Sequence, residues 1–231
     1  MLRPRLQTFD SGKLAERVGY VVLDDAKTVD VDELIDDSFD FIWIETPQKL
    51  HTTRFDYRGT VIELEGDRAE ALSQTRLAGV RYDVSALKSD SEWQQVEELM
   101  AHAAPSRFSN DPHISEAAFR RHKMSLLRSH VENKNGAIAL ARSAGDPVGY
   151  QCSSLNERAV QLYDIAIARQ FRQGFAALNL IGWMLERFDI DRVSTRIYDD
   201  NAASLRLFQH LGLRPTGRQS HYYHYWPEES R

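Results

Sequence analysis

Between residues 160 and 212 the chain sets out a strand, a glycine turn, a helix, a second strand and a second helix with few residues to spare. No other stretch constrains the fold as much. Val160 to Ala168 reads VQLYDIAIA, an apolar, strand-like run. Arg169-Gln170-Phe171-Arg172-Gln173-Gly174 follows at once, and a helical pattern then runs to about Phe188. Arg192 to Tyr198 reads as a strand. Asn201 is a good N-cap for a helix to about His210, which Gly212 ends. A helix that starts directly after a glycine turn presents unpaired backbone N–H groups and the positive end of its dipole, which together suit an anion. Gly174 has no Cβ and Ala176 is small, so a ligand can come close to the backbone there. Arg172 or Arg169 can add charge-assisted bonds to a phosphate. Neither the P-loop pattern nor the GxGxxG fingerprint is present.

The rest of the chain reads in two parts, residues 1–85 and 86–231. In the first, Tyr20–Leu23, Phe41–Ile44 and Thr60–Leu64 are strand-like, and Val31–Phe39 has near-helical spacing. Residues 67–90 read as a polar connection with a short strand at Tyr82–Val84. In the second part, Asp90-Ser91 can cap a helix over Trp93–Ala104, which Pro105 stops. Ser115 can cap another through Asn133. Ala137–Ala141 and Val148–Ser153 form a hairpin around Gly145-Asp146-Pro147. Ser220–Trp226 is an aromatic-rich terminal strand. The expected class is α/β (α+β), a mixed sheet flanked by helices.

Composition narrows the function classes. With 42% hydrophobic and 10% aromatic residues, the 231-residue chain can build a core and is not disorder-prone. A net charge of −5 disfavours a broad nucleic-acid surface. The single cysteine, Cys152, cannot form an internal disulfide and reads as a small buried hydrophobe. No signal sequence is visible at the amino terminus and no run approaches membrane-spanning length, so a cytoplasmic location is the expectation. A homodimer is the base-rate expectation for assembly.

The stretches IAIARQFRQGFAALNLIGWMLERF and NAASLRLFQHLGLRPTG resemble the GCN5-related N-acetyltransferase superfamily, whose glycine loop and N-x-x-A/S-x-x-L-Y/F pattern they follow. The resemblance covers about residues 90–226. SRFSNDPHIS (residues 106–115), the helix after it and the terminal YHYW are similar to the TDP-fucosamine acetyltransferase group. That group carries an additional amino-terminal α/β domain of partial acetyltransferase shape, which would account for residues 1–85.

The resemblance implies an enzyme that uses acetyl-CoA as cosubstrate, needs no metal, and acetylates a primary amine by direct attack. The narrower similarity implies a nucleotide-linked amino sugar in cell-surface polysaccharide synthesis. Another small amine, a protein amine, or a non-catalytic acyl-CoA-binding role are the alternatives. By the same resemblance, Gln173, Gly174, Phe175 and Ala176, flanked by Arg172, would hold the pyrophosphate. Ile165, Ala166 and Ile167 would pair with the pantetheine arm as an added strand, and Asn201 would contact that arm. A backbone N–H near the open end of the strand would stabilise the oxyanion.

Two departures stand out. The loop is one residue short if Arg172 fills the family's Q/R position. Phe208 stands where the family commonly has a tyrosine that protonates the departing thiolate, and phenylalanine cannot donate a proton. Tyr198 is the candidate replacement, with Tyr222 and Tyr223 as others. Asp164, on the central strand, is the candidate general base. Its plain alternative is a strand-end carboxylate paired with an arginine. Arg107, Phe108 and His113 are the candidate acceptor-binding side chains, with Arg107 suited to bidentate bonds to phosphate. A surface salt bridge for Arg107 and a solvated loop histidine for His113 are the alternatives. His221 and His224 lie on opposite faces of a strand, which disfavours a metal site from that pair.

Overall fold

The computed structural model describes residues 4–8, 10–24, 30–76, 79, 81–104, 106–132, 136–155, 159–172, 175–189 and 191–227. In chain order the elements are β1 (Arg5–Leu6), β2 (Val18–Val22), β3 (Phe41–Thr46), β4 (Asp56–Asp67), α1 (Arg68–Thr75), β5 (Asp83–Ala86), α2 (Asp90–Met100), α3 (Glu116–Glu132), β6 (Gly136–Ser143), β7 (Asp146–Leu155), β8 (Val160–Ile167), α4 (Ala176–Arg187), β9 (Arg192–Tyr198), α5 (Ala202–His210) and β10 (Arg214–Tyr225). No described helix is long and apolar enough to cross a membrane.

Two compact units result, and each is assembled from separate segments. One takes Met1–Ile62, Pro105–Lys123 and Gly217–Arg231; the other takes Glu63–Ala104 and Met124–Thr216. The division therefore differs from a single boundary near residue 85. The SRFSNDPHIS segment and most of β10 belong with the amino-terminal residues, and residues 63–85 belong with the other unit.

In the first unit the strand order is β1-β2-β3-β10-β4. β2 runs parallel to β3 and β10 antiparallel to it, with Tyr225 opposite Ile42 and His221 opposite Thr46. Alternate residues of a strand face opposite sides. Ile42 and Ile44 pack with Val21, Leu34, Phe55, Tyr223 and Tyr225. Phe41 turns the other way and stacks on Trp226 with ring centroids 4.4 Å apart. Both faces of β3 are covered, which is why it reads as an unbroken apolar run. The helix expected over Val31–Phe39 is only a 3-10 turn at Val31–Leu34. Asp36 explains the stop, because its side chain accepts the backbone N–H of Ser38 at 2.9 Å and offers the chain a local alternative to the helix.

In the second unit the order is β4-β9-β8-β7-β6-β5, antiparallel from β5 to β8 and parallel between β8 and β9. The β6–β7 hairpin turns on Ala144 (φ 52°) and Gly145 (φ 94°), two consecutive left-handed residues that match the twist of the strands. On one face Ile138, Leu140, Tyr150, Cys152 and Ala166 pack under α2 and α3; on the other Ala139, Val148 and Ile167 pack under α4. Cys152 is a buried core side chain. Ser89, one residue before the expected cap, closes α2 in a reciprocal box with Glu92.

Helix α1 replaces the expected polar connection. Its sequence carries few apolar residues, and only Ala71 and Thr75 are buried. Asp67 caps it by accepting the N–H of Glu70 at 2.8 Å. Gly182 of α4 lets the two helices approach: a Cβ there would lie 2.7 Å from Thr75 Oγ1, which is itself held by Leu72 O at 2.7 Å. Gly182→Ala is therefore expected to lower stability by about 1–3 kcal/mol through overpacking. Urea unfolding of both proteins checks this. An unchanged midpoint would mean that α1 yields freely.

Candidate active site

β8 is where the second unit departs from a regular sheet. It pairs with β7 along its length, but the register jumps from Cys152 opposite Asp164 to Ser153 opposite Leu162. Tyr163 is the extra residue, and a bulge of this kind bends its strand. At the same place β9 leaves: the parallel pairing covers only Val160–Leu162 against Val193–Thr195. From Tyr163 onward β8 is no longer paired with β9, and Ala103 bridges Ala166 instead. The bulge and the end of the β9 pairing thus fall next to Asp164, Ile165, Ala166 and Ile167.

Backbone direction in this stretch follows from one bond. The N–H of Ala168 donates to Val148 O at 2.8 Å. Alternate residues of an antiparallel pair exchange such bonds, so Asp164 and Ala166 turn their backbone groups to β7. Ile165 and Ile167 turn theirs to the other side, away from β7. Side chains alternate too: Ile165 and Ile167 pack on the α4 face, while Ala166 packs on the α2–α3 face beside Tyr150 and Cys152.

Asp164 lies on that same face. Its Oδ2 accepts the Tyr150 hydroxyl at 2.5 Å. Tyr150 is fully buried, and burial, with the Asp164 charge adding to it, pushes its phenol well above its ordinary value. It stays a proton donor across the working pH range and fixes one oxygen of the carboxylate. The sequence had given no signal for Tyr150, because its partner is 14 residues away across a hairpin.

Beyond β8 the chain makes a 3-10 turn at Arg169–Phe171 and enters α4. Gln173 and Gly174 lie outside the described residues. Phe175 is the N-cap of α4 and supplies no side-chain cap, so the first turn has no side-chain acceptor of its own. Ala176 is fully buried behind it. Such a helix start fits an anionic group. Arg172 does not point away from the strand: its Nε donates to Ile167 O at 3.3 Å and its Nη2 to His102 O at 2.8 Å.

Asn201 caps α5, its Oδ1 accepting the N–H of Ser204 at 3.1 Å. Tyr198 ends β9. Phe208 is buried in α5 at 2% exposure. These residues, with Asp164–Ile167, Arg172, Phe175 and Ala176, all belong to the second unit.

The candidate acceptor residues Arg107, Phe108 and His113 belong to the first unit, as do Tyr222 and Tyr223. Phe108 is a core side chain at 5% exposure, stacked against the imidazole of His224. The guanidinium of Arg107 lies over three rings, Tyr222 at 4.3 Å, Phe108 at 4.5 Å and Trp43 at 4.7 Å. His113 packs on Trp226 at 5.7 Å. The hydroxyl of Tyr223 accepts the N–H of Leu50 at 2.8 Å. His221 and His224 are both buried and bond in separate places, to Thr60 at 2.9 Å and Asp111 at 2.6 Å.

No family model matches the chain. Its architecture does match solved structures. A functionally unknown conserved protein from Staphylococcus epidermidis ATCC 12228 superposes with a TM-score of 0.67 at 9% identity, covering 91% of this chain and 84% of that one. A GCN5-related N-acetyltransferase from Kribbella flavida superposes with a TM-score of 0.57 at 14% identity, covering 90% and 81%. A tandem GNAT protein from the clavulanic acid biosynthesis pathway does so at 0.55 and 13% identity, covering 80% and 64%. The fold is that of the GCN5-related N-acetyltransferases. In sequence the chain is 25% identical over 126 residues to the spore coat polysaccharide biosynthesis protein SpsD of Bacillus subtilis (strain 168). That match takes in 53% of this chain and 43% of the relative, so it spans less than half the length of that protein.

Proposed function

We propose that the protein is an N-acetyltransferase that uses acetyl-CoA and acetylates a primary amine. The parting of β8 from β9 at Leu162 and Thr195, with the bulge at Tyr163, carries this reading. It leaves an extended backbone edge next to an uncapped helix start, which suits a ligand with an amide-bearing arm and a pyrophosphate. The arm adds to the β8 edge through the backbone groups of Ile165 and Ile167, as a strand would. The pyrophosphate sits at the first turn of α4, at Phe175 and Ala176, and Gln173 and Gly174 are the further residues that the sequence resemblance assigns to it. Asn201, at the start of α5, contacts the arm.

The chemistry asks little of the protein beyond position and proton handling. The amine nitrogen attacks the thioester carbonyl, the C–N bond forms and the C–S bond breaks. The nitrogen must lose a proton, and Asp164 is the base assigned to it. The sulfur leaves as thiolate and gains a proton. Phe208 has none to give, so Tyr198 at the end of β9 is the proposed donor. A backbone N–H at the open end of β8 faces the developing oxyanion.

The proposed acceptor is a nucleotide-linked amino sugar used in cell-surface polysaccharide synthesis. The partial match to SpsD, a polysaccharide biosynthesis protein, supports that class. The test incubates the protein with acetyl-CoA and a panel of nucleotide-linked amino sugars, free amino sugars, polyamines and amino-terminal peptides. Thiol release and product mass are both read. N-acetyl product from the nucleotide-linked sugars alone is the expected result. Turnover of another amine would reassign the acceptor. Binding of acetyl-CoA without turnover of any amine would favour the second reading, a non-catalytic acyl-CoA-binding protein, to which the buried Phe208 points.

A further inference from the structure

The open edge of β8 already has a neighbour. Ala103, just beyond α2, makes an antiparallel bridge with Ala166. The backbone groups of Ala166 itself face β7, so this bridge sets His102–Ala104 against the outward groups of Ile165 and Ile167. Arg172 fastens the arrangement from the other end. One side of its guanidinium holds Ile167 O at 3.3 Å and the other holds His102 O at 2.8 Å. A further bond, from Ala103 N–H to Met100 O at 3.0 Å, continues the last turn of α2 into the segment. Three residues of the chain therefore lie where an added strand would lie.

We propose that His102–Ala104 is an internal strap that occupies the acyl-CoA edge of β8 and has to lift before the arm of the ligand can pair there. The inference rests on the reading of that edge as an acyl-CoA site. One edge cannot pair with two strands, so strap and ligand arm exclude each other. Arg172 is the latch: while it holds His102 O it is not turned to a phosphate, and a phosphate at the α4 start competes for the same guanidinium. The affinity for CoA is thus reduced by the fraction of molecules with the strap closed, and association at high CoA proceeds no faster than strap opening.

Loosening the strap without touching β8 or the α4 turn separates its role from that of the site. In Ala103→Gly with Ala104→Gly, both residues gain freedom that closing the strap must remove, so the closed form is disfavoured by roughly 4- to 30-fold. CoA should bind more tightly by a factor up to that size, and the plateau of the association rate in stopped flow should rise. Hydrogen exchange on the unmodified protein supplies a second readout that needs no variant. Adding CoA should speed exchange at residues 102–104 while the Ile165 and Ile167 amides stay protected. Unchanged CoA affinity in the double variant, with exchange at 102–104 unaltered or slowed by CoA, would overturn the strap and leave the site intact. If CoA binds to neither protein, the acyl-CoA reading fails, and the strap with it.

Discussion

Asp111→Ala is expected to destabilise the protein by about 3–5 kcal/mol, the range found when one partner of a buried charged pair is removed. Asp111 is 2% exposed and lies in the first unit. Its Oδ2 accepts His224 Nδ1–H at 2.6 Å and Trp226 Nε1–H at 3.0 Å, and its Oδ1 accepts the N–H of His113 at 2.9 Å. Arg58 Nε approaches at 3.5 Å. Burial pushes this carboxyl up, but the hydrogen bonds from His224, Trp226 and His113 outweigh it and bring it down to about 2. Truncation leaves three donors and the Arg58 charge without their acceptor, in a place water does not reach. Urea unfolding at neutral pH measures the effect, and a loss below about 1 kcal/mol would show that the network rearranges without strain.

His224 and Asp111 set how stability responds to acid. Burial pushes the imidazole of His224 down to about 4 despite the pull of Asp111, with the charges of Arg107 and Arg58 adding to the effect. The unfolded chain takes up a proton at its ordinary value near 6.5. Between about 6.5 and 4 the unfolded state therefore binds more protons than the folded one, and stability falls as pH falls through that window. The contribution of Asp111 has the opposite origin: it is fully present above its unfolded value near 3.8 and is lost as pH falls toward 2. Unfolding midpoints at pH 7, 5.5 and 4.5 should decline steadily. A flat profile over that range would mean that His224 is protonated in the folded protein already.

The segments that hold this network were legible as a motif and not as a core. SRFSNDPHIS and YHYW stand out in the sequence, but that Asp111 meets His224 and Trp226 is a contact across more than 110 residues. No local pattern encodes it. The division into units was hidden for the same reason, since β4 and β10 each have residues in both. Residues 160–212 behaved differently. Their strands and helices follow from local periodicity, a capping asparagine and a glycine (Gly212, φ 85°) that ends α5 in the left-handed region. Pairing of a ligand arm with Ile165–Ile167 is implied by resemblance, while the place where β9 leaves β8 depends on the bulge at Tyr163, which a run such as VQLYDIAIA does not announce. Helix α1 carries no such local signal, because it is held by a cap and by packing on Gly182, not by an apolar stripe.

Asp164→Asn is expected to lower kcat/KM for the amine by about 10²–10⁴-fold, the usual worth of a positioned general base, while acetyl-CoA binding stays as it was. Asparagine keeps the shape and can still accept the Tyr150 hydroxyl, so folding is not the variable. Tyr150→Phe leaves the carboxylate in place without its anchor at Oδ2, and a smaller fall in kcat with little change in KM is expected there. Steady-state kcat and KM of all three proteins distinguish the roles: Asp164→Asn should lose far more kcat than Tyr150→Phe. Full activity in Asp164→Asn would return the residue to its plainer role as a strand-end carboxylate held by a tyrosine.

Calorimetric titration of CoA and acetyl-CoA into the pure protein asks whether the parted strands and the start of α4 form an acyl-CoA site. Gly174→Glu is the control, because a carboxylate beside the start of α4 opposes a pyrophosphate by charge and by bulk. Saturable binding of both ligands to the natural protein and loss of both in the variant are expected. Absence of binding in the natural protein, or equal binding in the two, would contradict the acyl-CoA site.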